Sequence, residues 1–170
     1  MATRLNRMQF LRGDFNAELP FRPPWSKTED EFTELCTRCD DCITACPQNI
    51  LIRGAAGFPE VNFSQGGCDY CQACAKACQT QAIALLASNQ SSPWSISARI
   101  KNNCLSEKGV VCRSCGDVCE TRAIRFKLAV GGVALIDFDA SACNGCGECV
   151  SLCPVAAIEM QHSAQVQERQ

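Results

Sequence analysis

The chain has 170 residues, sixteen of them cysteine, with sixteen Lys and Arg against eighteen Asp and Glu for a formal net charge of −2. No basic stripe stands ready to neutralise phosphates, which disfavours nucleic acid, and no apolar run of about eighteen residues could span a membrane. Cysteine at about 9% also fits a disulfide scaffold, but regular spacing, a long chain and the lack of an apolar leader favour metal in a cytoplasmic protein.

Hydrophobic residues make up 46% of the chain. Setting the cysteines aside leaves roughly 36%, thin for a core of this length. Folding is therefore expected to depend on bound metal, because metal-binding free energy becomes folding free energy.

In chain order, residues 1–27 read as an N-terminal docking arm outside the repeat. Residues 6–12 resemble a worn twin-arginine export signal, with Met8 where the second arginine would stand and no hydrophobic stretch after it. Export is not expected. Arg22-Pro23-Pro24-Trp25 predicts a stiff, extended element, because each proline fixes φ and biases the residue before it. Trp25 reads either as a clamp on the body or as an ordinary anchoring aromatic. Thr28 and Glu31 form a capping box that starts a short helix through Phe32 and Leu35, delivering the chain to Cys36. The acidic residues around it (Glu29, Asp30, Glu31, Glu34, Asp40, Asp41) read as a helix start and solvated face, or as an acidic docking surface.

The predicted organisation is a ferredoxin-like module over 28–87, a linker over 88–98, a second module over 99–160 and a polar tail over 161–170. Each module is expected to contain a hairpin. The first runs from Ile50-Leu51-Ile52 through a glycine-bounded turn to 60–63, and the second from 123–128 through Gly131-Gly132 to 133–138. The Ser/Asn/Pro run at 88–93 marks the internal boundary. His162, the single histidine, reads as a solvated tail residue.

The cysteines fall into four groups: Cys36, Cys39, Cys42, Cys46; Cys68, Cys71, Cys74, Cys78; Cys104, Cys112, Cys115, Cys119; and Cys143, Cys146, Cys149, Cys153. Groups one, two and four read C-x2-C-x2-C-x3-C, the bacterial ferredoxin spacing for [4Fe–4S] clusters. In such a run the chain curls round one face of a cluster and points backbone N–H groups at its sulfurs. Group three stretches its first interval to seven residues, so twelve cysteines read as firm ligands and its four raise the choice between three clusters and four. Four oxidised clusters would bring the net charge to roughly −10.

In two-cluster ferredoxins the fourth cysteine ligates the other cluster. That swap would join Cys36, Cys39 and Cys42 to Cys78, and Cys68, Cys71 and Cys74 to Cys46. In the second module it would join Cys104, Cys112 and Cys115 to Cys153, and Cys143, Cys146 and Cys149 to Cys119. The hairpins favour pairing one with two and three with four; pairing one with four and two with three stays open. Pro47 and Pro154 follow groups one and four, where groups two and three carry Gln79 and Glu120. Glu120 adds a negative charge that should lower a local potential. Zinc is disfavoured because its sites use separated cysteine pairs, often with histidine. No phosphate loop or carboxylate pair points to catalysis, so a non-enzyme of the α+β class is expected, with short helices and β-hairpins wrapped around clusters in tandem 2[4Fe–4S] modules.

The chain resembles the NapF-type ferredoxins associated with periplasmic nitrate reductase. The residues that carry the likeness are the arginine-containing start, Arg22-Pro23-Pro24-Trp25, Thr37-Arg38-Cys39-Asp40, the irregular Cys104–Glu120 group and Cys143-Asn144-Gly145-Cys146-Gly147. The resemblance implies a cytoplasmic iron–sulfur protein that contacts the precursor of the reductase catalytic subunit and helps insert or reduce its cluster or cofactor before export. It also implies three regular clusters, with the cysteines of each group commonly assigned to one cluster. A soluble electron carrier feeding a respiratory reductase is the alternative.

Overall fold

The computed structural model describes residues 19–54, 56–85, 93–129 and 132–163. The worn export signal, most of the expected arm and most of the Ser/Asn/Pro boundary lie outside the described residues. Among the described residues are five short helices and six strands, arranged as three two-stranded antiparallel sheets.

The first half opens with α1 (Glu29–Leu35), whose first turn carries Glu29, Asp30 and Glu31, favourable at the positive end of a helix. The expected capping box survives only as a side-chain pair: the Thr28 hydroxyl donates to Glu31 Oε2 at 3.2 Å, with no side-chain bond to a backbone amide. Phe32, on the inner face of α1, is fully buried and packs against Phe58. After α2 (Asp41–Thr44) come β1 (Leu51–Arg53) and β2 (Pro59–Val61), closed at the Gly54 end by a Gly54 N–H to Phe58 carbonyl bond. Leu51 pairs with Val61, both buried, and Ile52 stays exposed, the alternation of a sheet with one wet face. The half ends on α3 (Ala73–Ala77), which packs on α2.

The second half is more regular. β3 (Ile96–Ile100) leads to α4 (Ser114–Asp117), then to the hairpin of β4 (Ile124–Leu128) and β5 (Ala134–Phe138), then to α5 (Glu148–Ser151) and β6 (Ile158–His162). β3 and β6 pair from Ile96 opposite His162 to Ile100 opposite Ile158. The half is thus a closed βαββαβ ring with its two helices packed on each other. In the first half the matching outer sheet shrinks to a Ser26–Ile83 bridge, flanked by bonds from the Lys27 N–H to Ala82 O and from the Ala84 N–H to Trp25 O.

Two expectations change. The stretch read as a linker contains most of β3, and the tail begins inside β6. Ile96, Ala98 and Ile100 alternate against Ile158 and Met160, so the period-2 signal is present but was obscured by Ser95 and Ser97. His162 is correspondingly not a solvated tail residue. Its ring lies 4.9 Å from Phe21 and its Nε2 is 3.0 Å from the Leu19 carbonyl.

Residues 19–27 strap the two halves. Pro23 and Pro24 are fully buried, and Val61 N–H donates to Phe21 O at 2.7 Å. Arg22 makes a bidentate pair with Glu29 at 2.9 and 2.7 Å, and its guanidinium lies over the rings of Phe32 and Phe58. The Trp25 backbone N–H donates to Pro93 O at 2.7 Å and its ring meets Tyr70 edge-on, so the residue ties the strap to the body through both backbone and side chain. No helix of the described residues is long and apolar enough to cross a membrane.

Candidate metal centres

Helix and loop geometry bring the sixteen cysteines into four cavities. Cys36, Cys39 and Cys42 line the first together with Cys78. Cys68, Cys71 and Cys74 line another with Cys46. In the second half, Cys104, Cys112 and Cys115 share a cavity with Cys153, and Cys143, Cys146 and Cys149 share one with Cys119. Each cavity therefore takes three cysteines from one group and the last from its neighbour. Group one pairs with two, and three with four. The exchange follows from α2 packing on α3 and α4 on α5, which carries the last cysteine of each group across the helix pair.

The loops are shaped by backbone that L-residues rarely adopt. In groups one and two, Arg38 and Asp40, then Tyr70 and Gln72, have φ between 56° and 66°. Group four places Gly145 and Gly147 at the same positions, with φ of 80° and 78°. Left-handed residues between right-handed ones turn successive N–H groups toward one point, an anion-binding nest. Non-glycine residues in that region cost about 1–2 kcal/mol each, so the loops need something else to hold them. A further left-handed residue follows three positions after the last cysteine of every group: Asn49, Gln81, Arg122 and Ala156. No residue type common to Asn49, Gln81, Arg122 and Ala156 marks this feature in the sequence, whereas Gly145 and Gly147 do mark the loop positions of group four.

Group three does not share the loop but reaches the same end. Residues 104–110 fold into a tight turn, with Val110 N–H donating to Leu105 O at 3.0 Å and Gly109 at φ 79°. Ser106 is almost fully buried, and its hydroxyl donates to the Ala134 carbonyl of β5. The long interval is thereby pinned to the hairpin, and Cys112 returns to the cavity that holds Cys104.

Backbone amides also point at sulfur. Ile83 N–H donates to Cys78 Sγ and Ile124 N–H to Cys119 Sγ, both at 3.4 Å. Ala157 N–H donates to Cys153 Sγ at 3.1 Å, and Tyr70 N–H to Cys68 Sγ at 3.4 Å. Such donors favour sulfur carrying negative charge. Burial works the other way. It pushes the thiols of Cys42, Cys68 and Cys149 up to about 12 and those of Cys74 and Cys115 up to about 11, and it raises Cys146. Neighbouring cysteines add to the rise at Cys42 and Cys149. These sulfurs stay protonated near neutrality unless a cation displaces the proton.

Among the described residues, no three His, Cys, Asp or Glu side chains converge on a point where a single metal ion would sit. A zinc site brings its sulfurs to about 2.3 Å from one ion. Four thiols lining each cavity, with amides directed at Cys68, Cys78, Cys119 and Cys153, suit a group with several metal atoms, each capped by its own thiolate. The donor set fits a [4Fe–4S] cluster.

The acidic residues near the first group are partly committed. Glu29 is held by Arg22, and Asp40 pairs with Arg53. Gln79 and Glu120, in the places of Pro47 and Pro154, are both exposed.

A family model described as a 4Fe-4S dicluster domain matches the chain twice, over residues 35–91 and 108–167. Among curated relatives, the "Ferredoxin-type protein NapF" of Escherichia coli (strain K12) is 43% identical, over 83% of this chain and 84% of its own length. The protein of that name from Haemophilus influenzae is 45% identical over 92% and 93%. The "Methylamine utilization ferredoxin-type protein MauM" of Methylophilus methylotrophus is 32% identical over 78% and 65%. No solved structure matches the chain.

Proposed function

The chain belongs to the NapF-type ferredoxins, proteins built on the 4Fe-4S dicluster domain, and on that premise we propose that it is a four-cluster iron–sulfur protein in two tandem modules. Cys36, Cys39, Cys42 and Cys78 hold one cluster, and Cys46, Cys68, Cys71 and Cys74 the second. Cys104, Cys112, Cys115 and Cys153 hold the third, and Cys119, Cys143, Cys146 and Cys149 the fourth. The observation that carries this reading is the lining of four cavities by these sets of cysteines.

When bound, each cluster supplies one-electron redox chemistry at low cost in rearrangement. The chain's own residues position it and set its surroundings. The left-handed loops of groups one, two and four present amides, and the donors on Cys68, Cys78, Cys119 and Cys153 favour anionic sulfur. The apolar shells of Phe32, Ile50 and Ile83 in one half, and of Ile124 and Ile158 in the other, limit water. The protein acts without a catalytic residue of its own.

Its biological role is to serve the periplasmic nitrate reductase system from the cytoplasm, contacting the precursor of the catalytic subunit and helping insert or reduce its cluster or cofactor before export. The likeness to NapF over most of the chain supports this reading. A second reading is a soluble electron-transfer ferredoxin feeding a respiratory reductase, supported by the ferredoxin-type character that the NapF and MauM relatives share.

Two measurements test these readings. Iron and acid-labile sulfide should both come to about sixteen per chain, four for each cluster; zinc without sulfide sinks the cluster reading. Tagged protein should enrich an unexported reductase precursor. Failure to do so, with fast reduction by a quinol-linked complex, favours the carrier.

A further inference from the structure

Within each half the two cavities are neighbours, because the short helices that carry their third cysteines pack on each other. A less expected juxtaposition lies between the halves. The backbone N–H of Cys68 donates to the carbonyl of Cys146 at 2.8 Å. One residue earlier, the Gly67 N–H donates to Glu148 Oε2, also at 2.8 Å. Tyr70 and Trp94 both donate to the Asn144 carbonyl, at 2.7 and 3.1 Å. The group-two loop and the group-four loop are thus fastened to each other by one backbone–backbone bond, at Cys68 and Cys146, and by side-chain bonds of Glu148 and Tyr70 beside it.

We infer that this seam couples the group-two and group-four sites, so that the four sites form one electron relay in the order group one, group two, group four, group three. The inference rests on the cluster-binding reading above. A continuous bonded path runs from Cys68 Sγ through Cβ, Cα and N, across the hydrogen bond, and along O, C, Cα and Cβ to Cys146 Sγ. Tunnelling decays more slowly along covalent and hydrogen bonds than across an open gap. Cys68, Cys119 and Cys146 also line a cleft that the halves share, about 580 Å³ in volume.

The contact leaves no slack. A Cβ on Gly67 would lie 2.6 Å from the Glu148 nitrogen, so glycine is what lets the two loops touch. Trp25, Tyr70, Trp94 and Phe63 pack edge-on in sequence beside the seam, at 6.3, 6.2 and 5.7 Å between centroids. The strap of residues 19–27 therefore supports the joint as well as crossing it.

Each transfer moves one electron: one site is oxidised as its neighbour is reduced, and no bond or proton changes hands. The electron enters from an external low-potential one-electron donor. The order differs from the order in the chain, because group three, although third in sequence, becomes the far end. The group-one and group-three sites are the two places where an outside donor and acceptor would exchange electrons.

EPR of the dithionite-reduced holoprotein tests the inference. Cys39→Ala with Cys112→Ala takes a cysteine from each outer site and leaves groups two and four to report on each other. The expected spectrum keeps spin–spin splitting and fast relaxation, and adding Gly67→Val abolishes both at unchanged iron content. Simple uncoupled signals before Gly67→Val is added would overturn the relay. Should the double variant lose more iron than the outer sites hold, Gly67→Val in the otherwise unaltered chain gives the same decision. Loss of part of the coupling supports the seam, and an identical spectrum and relaxation at equal iron overturns it. A low iron and sulfide count in the unaltered chain fails the cluster reading instead, whereas a full count with uncoupled halves fails the relay alone.

Discussion

Cys42 and Cys78 line one cavity, although the first is the third cysteine of group one and the second is the last of group two. Burial raises the Cys42 thiol first, and Cys36, Cys74, Cys78 and Cys39 add to the rise, while Cys46, of its own group, lines the neighbouring cavity. The exchange makes each module one cooperative unit, since neither of its two cavities is complete without residues from the other.

The exchange gives a direct prediction. Cys78→Ala should disturb the same EPR component as Cys39→Ala, and Cys46→Ala the same component as Cys71→Ala. Each single variant should lower the iron count by up to about four. Matching of Cys78 with Cys71 instead would restore the reading in which each group holds its own cluster.

The group-three site should depend on Ser106. Its buried hydroxyl fixes the long loop to β5, and the Ser106→Ala variant leaves that anchor unmade. A loss of about 1–2 kcal/mol is expected for a buried hydrogen bond of this kind. Iron release to a chelator should become biphasic, with about a quarter of the iron leaving faster than in the unaltered protein. Monophasic release at the original rate would show that the loop is held in another way.

Arg22 should matter for stability rather than for iron content. The guanidinium is mostly buried, bidentate to Glu29, bonded to the Pro59 carbonyl at 3.1 Å and set over the neighbouring rings of Phe32 and Phe58. Arg22→Ala should cost about 2–3 kcal/mol, because Glu29 loses its partner and the rings lose their cover. Denaturant midpoints of the holoprotein measure this. Arg22→Lys should recover little of the loss, since an ammonium offers no planar fork.

Removing the metal should unfold the chain. The apolar cores are small and include cysteines, buried Cys42 and Cys74 in one and Cys115 and Cys149 in the other. Several loops also hold non-glycine residues in left-handed backbone that only a filled site offsets. Chelation under reducing conditions should therefore abolish far-UV structure in step with visible absorbance. A native-like, cooperative melt of metal-free protein would count against this.

Much of the chemistry was legible in one dimension. The spacing C-x2-C-x2-C forces the chain to curl with its first three sulfurs on one side, and no distant residue is needed to produce that part of the geometry. The hairpins were legible too, because alternation around Gly54 and Gly57, and again up to the turn before Val133, is a local signal. The outer strands were less so. Ile96, Ala98 and Ile100 alternate, but what makes them a strand is Ile158 and Met160 arriving from the far end of the module.

By itself, then, the order of residues determined the number of cysteine groups, the chemistry of their sulfurs and the turns between them, since all of these act over a few positions. Only the tertiary structure decided which cysteines share a cavity, that the irregular third group closes on Cys153, and that groups two and four meet at Cys68 and Cys146. Those outcomes depend on helix packing and on the room left by Gly67, contacts between residues far apart in the chain that no local spacing encodes.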